Sequence, residues 1–155
     1  MRFLIFGIAL LASVPTVAVS QSAGLLIGIQ EYDNLPDQKR GGRIIGAADE
    51  LAAAGMEVIS LRGATWDEIQ DALVQFGQMS AQAETLLVAL SGRFVHSPTE
   101  TFFLPSDGEA GPLATLPGNS LPLSTVLAWL STKPGKAVLV LTASGENTRY
   151  GPLLA

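Results

Sequence analysis

The chain has no cysteine among its 155 residues. A thiolate nucleophile needs a Cys side chain, so thiol catalysis is excluded, and so is a lipid anchor carried on an N-terminal Cys. Histidine is scarce as well, His96 being the only one. Basic runs of five or more residues are missing and the formal net charge is −5, which argues against nucleic acid as a partner. The same balance argues against an anionic membrane surface for the folded part. Neither Gly-x-x-x-x-Gly-Lys-Ser/Thr nor Gly-x-Gly-x-x-Gly occurs. Gly41-Gly42 before a helical stretch therefore reads as a turn rather than a phosphate loop, although helix N-termini attract anions. There is no internal repeat and no low-complexity tract.

What is present suits one compact domain. Apolar residues make up 48% of the chain, with 16 Gly and 9 Pro, a composition for a core with many turns rather than for disorder. The N-terminus reads as an export signal: Arg2, then the apolar run Phe3–Ala12, a breaker at Pro15, and small residues in Ala18-Val19-Ser20. Cleavage after Ser20 leaves a mature domain of residues 21–155, periplasmic or secreted and free of the membrane. The rival reading is an uncleaved anchor over Phe3–Val19, against which Ser13, Pro15 and Thr16 count.

Hydrophobic patterning predicts strands at Leu25–Ile29, Glu57–Leu61, Leu86–Leu90 and Ala137–Leu141. Between them, Ile44–Ala54 reads as a helix closed by Gly55. Thr65 with Glu68 forms a capping box that opens a second helix, its buried stripe Ile69, Leu73 and Phe76. Leu123, Val126, Leu127 and Leu130 mark a third helix. The stretch Ser97–Ser120 is rich in Pro, Gly and Thr, with a short extended piece at Thr101–Leu104. Apolar strands alternating with helices predict an α/β fold in three layers, a mostly parallel sheet of about four strands flanked by helices.

Several segments, in order, resemble the caspase-like (peptidase C14) family in its bacterial form. Leu25–Ile29 followed by Tyr32 and Leu35-Pro36 is similar to the family's opening strand and loop. Gly55-Met56-Glu57-Val58 resembles its helix-to-strand junction, and Leu86–Gly92 the strand that carries the catalytic histidine. Phe103-Leu104-Pro105-Ser106-Asp107 resembles the segment beyond that strand, and Ala137–Ser144 the strand leading to the nucleophile. The resemblance implies a cysteine peptidase, and the departures fall on its chemistry. Where the family has His-Gly after Ser91-Gly92, this chain has Arg93-Phe94. Where it has Asp-Ala-Cys, this chain has Thr142-Ala143-Ser144. A guanidinium stays charged and cannot serve as a base, so no catalytic residue is expected at these degenerate positions.

Other candidates are weighed on chemistry. Ser144 with His96 would make a serine hydrolase, provided a general base lay within about 3 Å of the hydroxyl; otherwise Ser144 is a turn residue and His96 a surface one. Arg93 could bind a carboxylate ligand through its fork, or serve structurally, for instance against Asp107. Glu31, Asp33 and Asp37 follow the first strand, near where parallel sheets bind ligands, but Lys39-Arg40 neutralise them, and no metal site is expected. No cofactor is expected either. Trp66 and Trp129 read as packing residues on helices.

The resemblance further implies that the chain matches the larger, N-terminal portion of such a fold and is truncated after the fourth strand. That strand would stand at the sheet border with apolar residues uncovered. A gene fragment, a homodimer covering the edge, or a protein or peptide partner adding strands would each account for it. The expectation for function is an exported caspase-like domain, catalytically inactive, acting as a binding or scaffolding module. The alternatives are the Ser144–His96 hydrolase and an unrelated small α/β ligand-binding domain of flavodoxin-like kind, which should show a fifth strand.

Overall fold

Four strands run parallel in one sheet, in the order β2-β1-β3-β7: β1 is Ser22–Gly28, β2 Met56–Arg62, β3 Thr85–Gly92 and β7 Ala137–Ala143. The computed structural model describes residues 21–109, 111–112 and 115–143. The expected export signal at 1–20 and Ser144 lie outside the described residues. No described helix is long and apolar enough to cross a membrane.

All four expected strands form, and the two central ones explain their apolar runs. Successive strand residues point to opposite faces, and β1 is buried along both from Ala23 to Gly28. One face, built from Ala23, Leu25 and Ile27 of β1 and Leu86, Val88 and Leu90 of β3, forms the main core. Helix α2 (Trp66–Gln82) covers it with Ile69, Ala72 and Phe76, and helix α4 (Leu123–Leu130) with Val126 and Leu130. The Phe76 and Trp129 rings meet edge to face, 5.8 Å apart, and join the two helices. On the opposite face Leu26 and Ala89 are buried, and Ile44 and Ile45 press against Gly28. Helices therefore lie on both sides, and the fold is a three-layer α/β arrangement.

One expectation needs correction. Ile44–Ala54 is not one helix: a 3-10 turn spans Arg43–Ala47 and α1 only Ala48–Ala53. Two β-branched residues followed by Gly46 have low α-helical propensity, and the tighter winding aims Ile44 and Ile45 at the sheet. The parallel sheet has the four strands expected, and it is accompanied by a second, antiparallel sheet of order β4-β5-β6, from Phe94–His96, Thr101–Phe103 and Leu121–Pro122. Strands of two or three residues carry no readable period. The extended piece expected at Thr101–Leu104 is β5, and α3 (Leu116–Asn119) leads into β6.

The capping box on α2 is complete: the Thr65 amide donates to Glu68 Oε2 at 2.9 Å and the Glu68 amide to Thr65 Oγ1 at 3.5 Å. Asp107 Oδ1 accepts from the next free amide, that of Trp66, at 2.9 Å. These contacts satisfy amides that the helix itself leaves unpaired, and they tie the segment after β5 to the start of α2.

Candidate functional site

The carboxyl ends of β1, β3 and β7 converge where open parallel sheets present their ligand crevice. Gly92 pairs in register with Ala143 across the β3–β7 ladder. The residues immediately preceding Arg93 and Ser144 thus lie side by side on adjacent strands, although they are far apart in sequence. Ser144 itself is outside the described residues.

Arg93 is buried, only 6% exposed. Its amide donates to the Tyr32 hydroxyl at 2.7 Å and its Nε to the Pro36 carbonyl at 2.9 Å. The guanidinium carbon stands 5.7 Å from the centroid of the Tyr32 ring, a cation–π distance. These bonds clamp the loop after β1 onto the end of β3. Asp107, considered as a partner for Arg93, spends its carboxylate on the Trp66 amide, and its own carbonyl accepts from Asn34 Nδ2 at 3.4 Å. Gly92 makes the clamp possible: a Cβ there would lie 2.7 Å from the Tyr32 hydroxyl and 2.9 Å from the Phe103 ring.

His96 is on β4, exposed, with Nδ1 3.0 Å from Thr101 Oγ1 across the small hairpin. It belongs to a strand rather than a loop. Ser97 organises the turn beyond it, its hydroxyl accepting from the Glu100 amide at 2.9 Å and donating to the Glu100 carbonyl at 3.0 Å.

A cavity of about 500 Å³ opens at the ends of β1 and β2, lined by Gln30, Glu31, Asp33, Arg62, Gly63 and Ser106. Two of the three acids expected after β1 face it. Asp37 instead accepts from the Tyr32 amide at 3.1 Å and shapes its own loop. Arg62 gives the cavity a cation that sequence reasoning missed; it closes a strand with no fully buried residue and carries no motif of its own. Among the described residues no three His, Asp or Glu side chains converge as a metal site would require. Gly41-Gly42 form a turn over the end of β1. Trp66 and Trp129 are half-buried against the core.

Among solved structures, the chain resembles the crystal structure of the Drosophila initiator caspase Dronc, with a TM-score of 0.56 and 11% sequence identity. The fold is caspase-like. The match covers 79% of this chain but 48% of the caspase, so the chain spans about half that protein's length. No protein-family model and no curated protein sequence matches. Within this caspase-like fold, β7 is a border strand among the described residues.

Proposed function

We propose that this chain is an exported, caspase-like domain of peptidase C14 descent that has lost peptidase chemistry and works as a binding or scaffolding module. The observation that carries the reading is Arg93, at the position that resembles the family's catalytic histidine. It is buried, and its Nε is committed to the Pro36 carbonyl. A permanently charged group clamped in this way cannot accept a proton, and no cysteine exists to be activated. Binding capacity is supported by the acidic-and-basic cavity at the ends of β1 and β2 and by the border position of β7 among the described residues. Export is supported by the composition of residues 1–20.

The test is an activity assay of the purified chain on peptides with acidic and with basic residues before the scissile bond. The expected result is no turnover, with or without Ser144→Ala. Turnover abolished by Ser144→Ala would establish a serine hydrolase and end the reading.

A further inference from the structure

Three stretches of chain far apart in sequence meet at the ends of β1 and β2, and their charged side chains meet without pairing. Glu31 and Asp33 come from the loop after β1, Arg62 closes β2, and Ser106 follows β5. All four line the cavity of about 500 Å³ there, a volume in the range of small-molecule pockets. No described residue forms an ion pair with Glu31, Asp33 or Arg62, although both signs of charge share the cavity. The cavity stands on the β2 side of the sheet, with β3 between it and β7.

Ser106 gives the cavity a buried polar group without a partner. It is 8% exposed, and no described residue bonds to its hydroxyl. Among the described residues every side-chain oxygen or nitrogen sealed from solvent has a partner. The small exposed part of Ser106 therefore includes the hydroxyl, which opens on the cavity that the residue lines. Its backbone is fixed: the Ser106 amide donates to the Ala64 carbonyl at 2.9 Å, and its carbonyl accepts from the Asp33 amide at 2.9 Å. The rest of the rim is tied in the same way. The Gln38 amide donates to the Gln30 carbonyl at 2.6 Å, and the Gly63 amide to the Gly28 carbonyl at 2.9 Å. Gly42 leaves the Arg62 head group its place, since a Cβ there would lie 2.8 Å from Arg62 Nη1 and 3.4 Å from Gln30 Oε1. A rim fixed in advance spares a ligand the cost of ordering it.

The charges decide the class of ligand. A simple anion drawn to Arg62 meets two carboxylates, and a simple cation drawn to the carboxylates meets a guanidinium that never loses its charge. Among the described residues no three His, Asp or Glu side chains converge as a metal ion would need. A molecule carrying an ammonium and a carboxylate finds a partner for each. We infer that the cavity binds a small zwitterion, a free α-amino acid or short peptide. Glu31 and Asp33 hold its ammonium; Arg62 and the Ser106 hydroxyl hold its carboxylate. An arginine fork takes a carboxylate by two parallel bonds, and a hydroxyl adds a third. The lining residues present no apolar side chain, so charge rather than side-chain shape does the selecting. The inference rests on the reading of this chain as a binding module and names the class of molecule bound.

The test is an amide NMR titration of the full chain at low salt with glycine and with glycylglycine. Saturating shifts are expected at Asp33, Gly63 and Ser106, with dissociation constants of about 0.1–1 mM for groups as exposed as these. Tighter binding of glycine identifies a free amino acid as the ligand, and tighter binding of glycylglycine a peptide. N-acetylglycine lacks the ammonium and glycinamide the carboxylate, so each should bind about tenfold more weakly. Arg62→Gln should weaken glycine and glycylglycine about tenfold while sparing glycinamide. Ser106→Ala should weaken them by about two- to tenfold. Should Ser106→Ala fail to fold, Arg62→Gln carries the test, because Arg62 is exposed. Absence of saturating shifts up to about 10 mM would overturn the inference. So would equal binding of the acetylated or amidated control, or binding indifferent to Arg62→Gln. A failed titration would leave the missing peptidase chemistry untouched, whereas peptide turnover would remove the module reading and leave the titration standing.

Discussion

The amide of Arg93 donates to the hydroxyl of Tyr32 at 2.7 Å, joining the first residue after β3 to the loop after β1. Both ends of the bond lie at the carboxyl ends of the parallel strands, where open parallel sheets present a ligand crevice. The two segments are held together there by a buried cation, an aromatic hydroxyl and a glycine with no room for a side chain. The arrangement serves rigidity, and a proton-transfer role for the same position would require undoing it.

Arg93→His puts back the residue type that the family resemblance suggests, and it should restore nothing. Imidazole cannot reach both the Pro36 carbonyl and the face of the Tyr32 ring from that backbone. Stability should fall by about 1–3 kcal/mol as a buried acceptor loses its donor, read by urea unfolding followed through tryptophan fluorescence. Peptide cleavage should remain undetectable. A gain of turnover would contradict the proposed absence of peptidase chemistry.

Tyr32→Phe keeps the ring under the guanidinium and removes only the hydroxyl. The Arg93 amide then lacks its acceptor, at a cost of about 1–2 kcal/mol. Amide hydrogen exchange at Arg93 should accelerate more than at Val88 in the middle of β3. Equal acceleration at both sites would show that the bond has no local role.

Gly41→Ala should be among the most damaging single substitutions. A Cβ at that position would lie 1.8 Å from the Ile29 carbonyl oxygen, so backbone rather than a side chain has to move. Overpacking of this kind typically costs about 1–3 kcal/mol or more. By contrast Gly46→Ala, with open space around it, should be neutral or stabilising by about 0.5–1 kcal/mol. Thermal unfolding of the two variants side by side checks the contrast.

Local chemistry was legible in the sequence, and pairing between distant segments was not. Thr65 and Glu68 announce the start of α2 because both partners lie within one turn. The β1 and β3 runs announce buried strands because burial on both faces leaves an uninterrupted apolar string. The string of β7 is as apolar as theirs although Val138 and Val140 are exposed, as expected of a strand at the sheet border; burial depends on what stands beside a strand. The first part of the helix expected at Ile44–Ala54 is a 3-10 turn that ends at Ala47, a matter of winding that apolar spacing does not encode. At the site, the identities of Arg93 and Tyr32 were visible, but their bond spans 61 residues and follows only from the parallel neighbours β1 and β3.

Phe76→Ala should lower stability by about 3–5 kcal/mol. Phe76 is fully buried and its ring supports Trp129 edge-on, so one truncation loosens α2 and α4 together. Trp129 fluorescence should shift to the red in the native state as its shielding is lost.

Glu100 supplies a pH dependence whose sign can be worked out. Its Oε1 accepts from the Thr101 amide at 2.8 Å and from the Ser124 amide at 3.3 Å. The second of these is a free amide of α4, a helix whose own N-cap, Pro122, offers no side-chain bond. Hydrogen bonding by Ser124, and then by the Thr101 amide, holds the carboxyl below its ordinary value of 4.5. A group whose folded-state pKa is depressed adds stability above its unfolded pKa and loses it as pH falls through the folded one. Wild type should therefore exceed Glu100→Gln in stability by a constant margin at neutral pH, and the margin should shrink below about pH 4.5. Glu100 is only partly buried, so the margin should be small and should narrow further in high salt. Urea unfolding of both proteins across pH 3–7 measures it, and a margin that grew on acidification would mean that the bond to α4 favours the protonated acid.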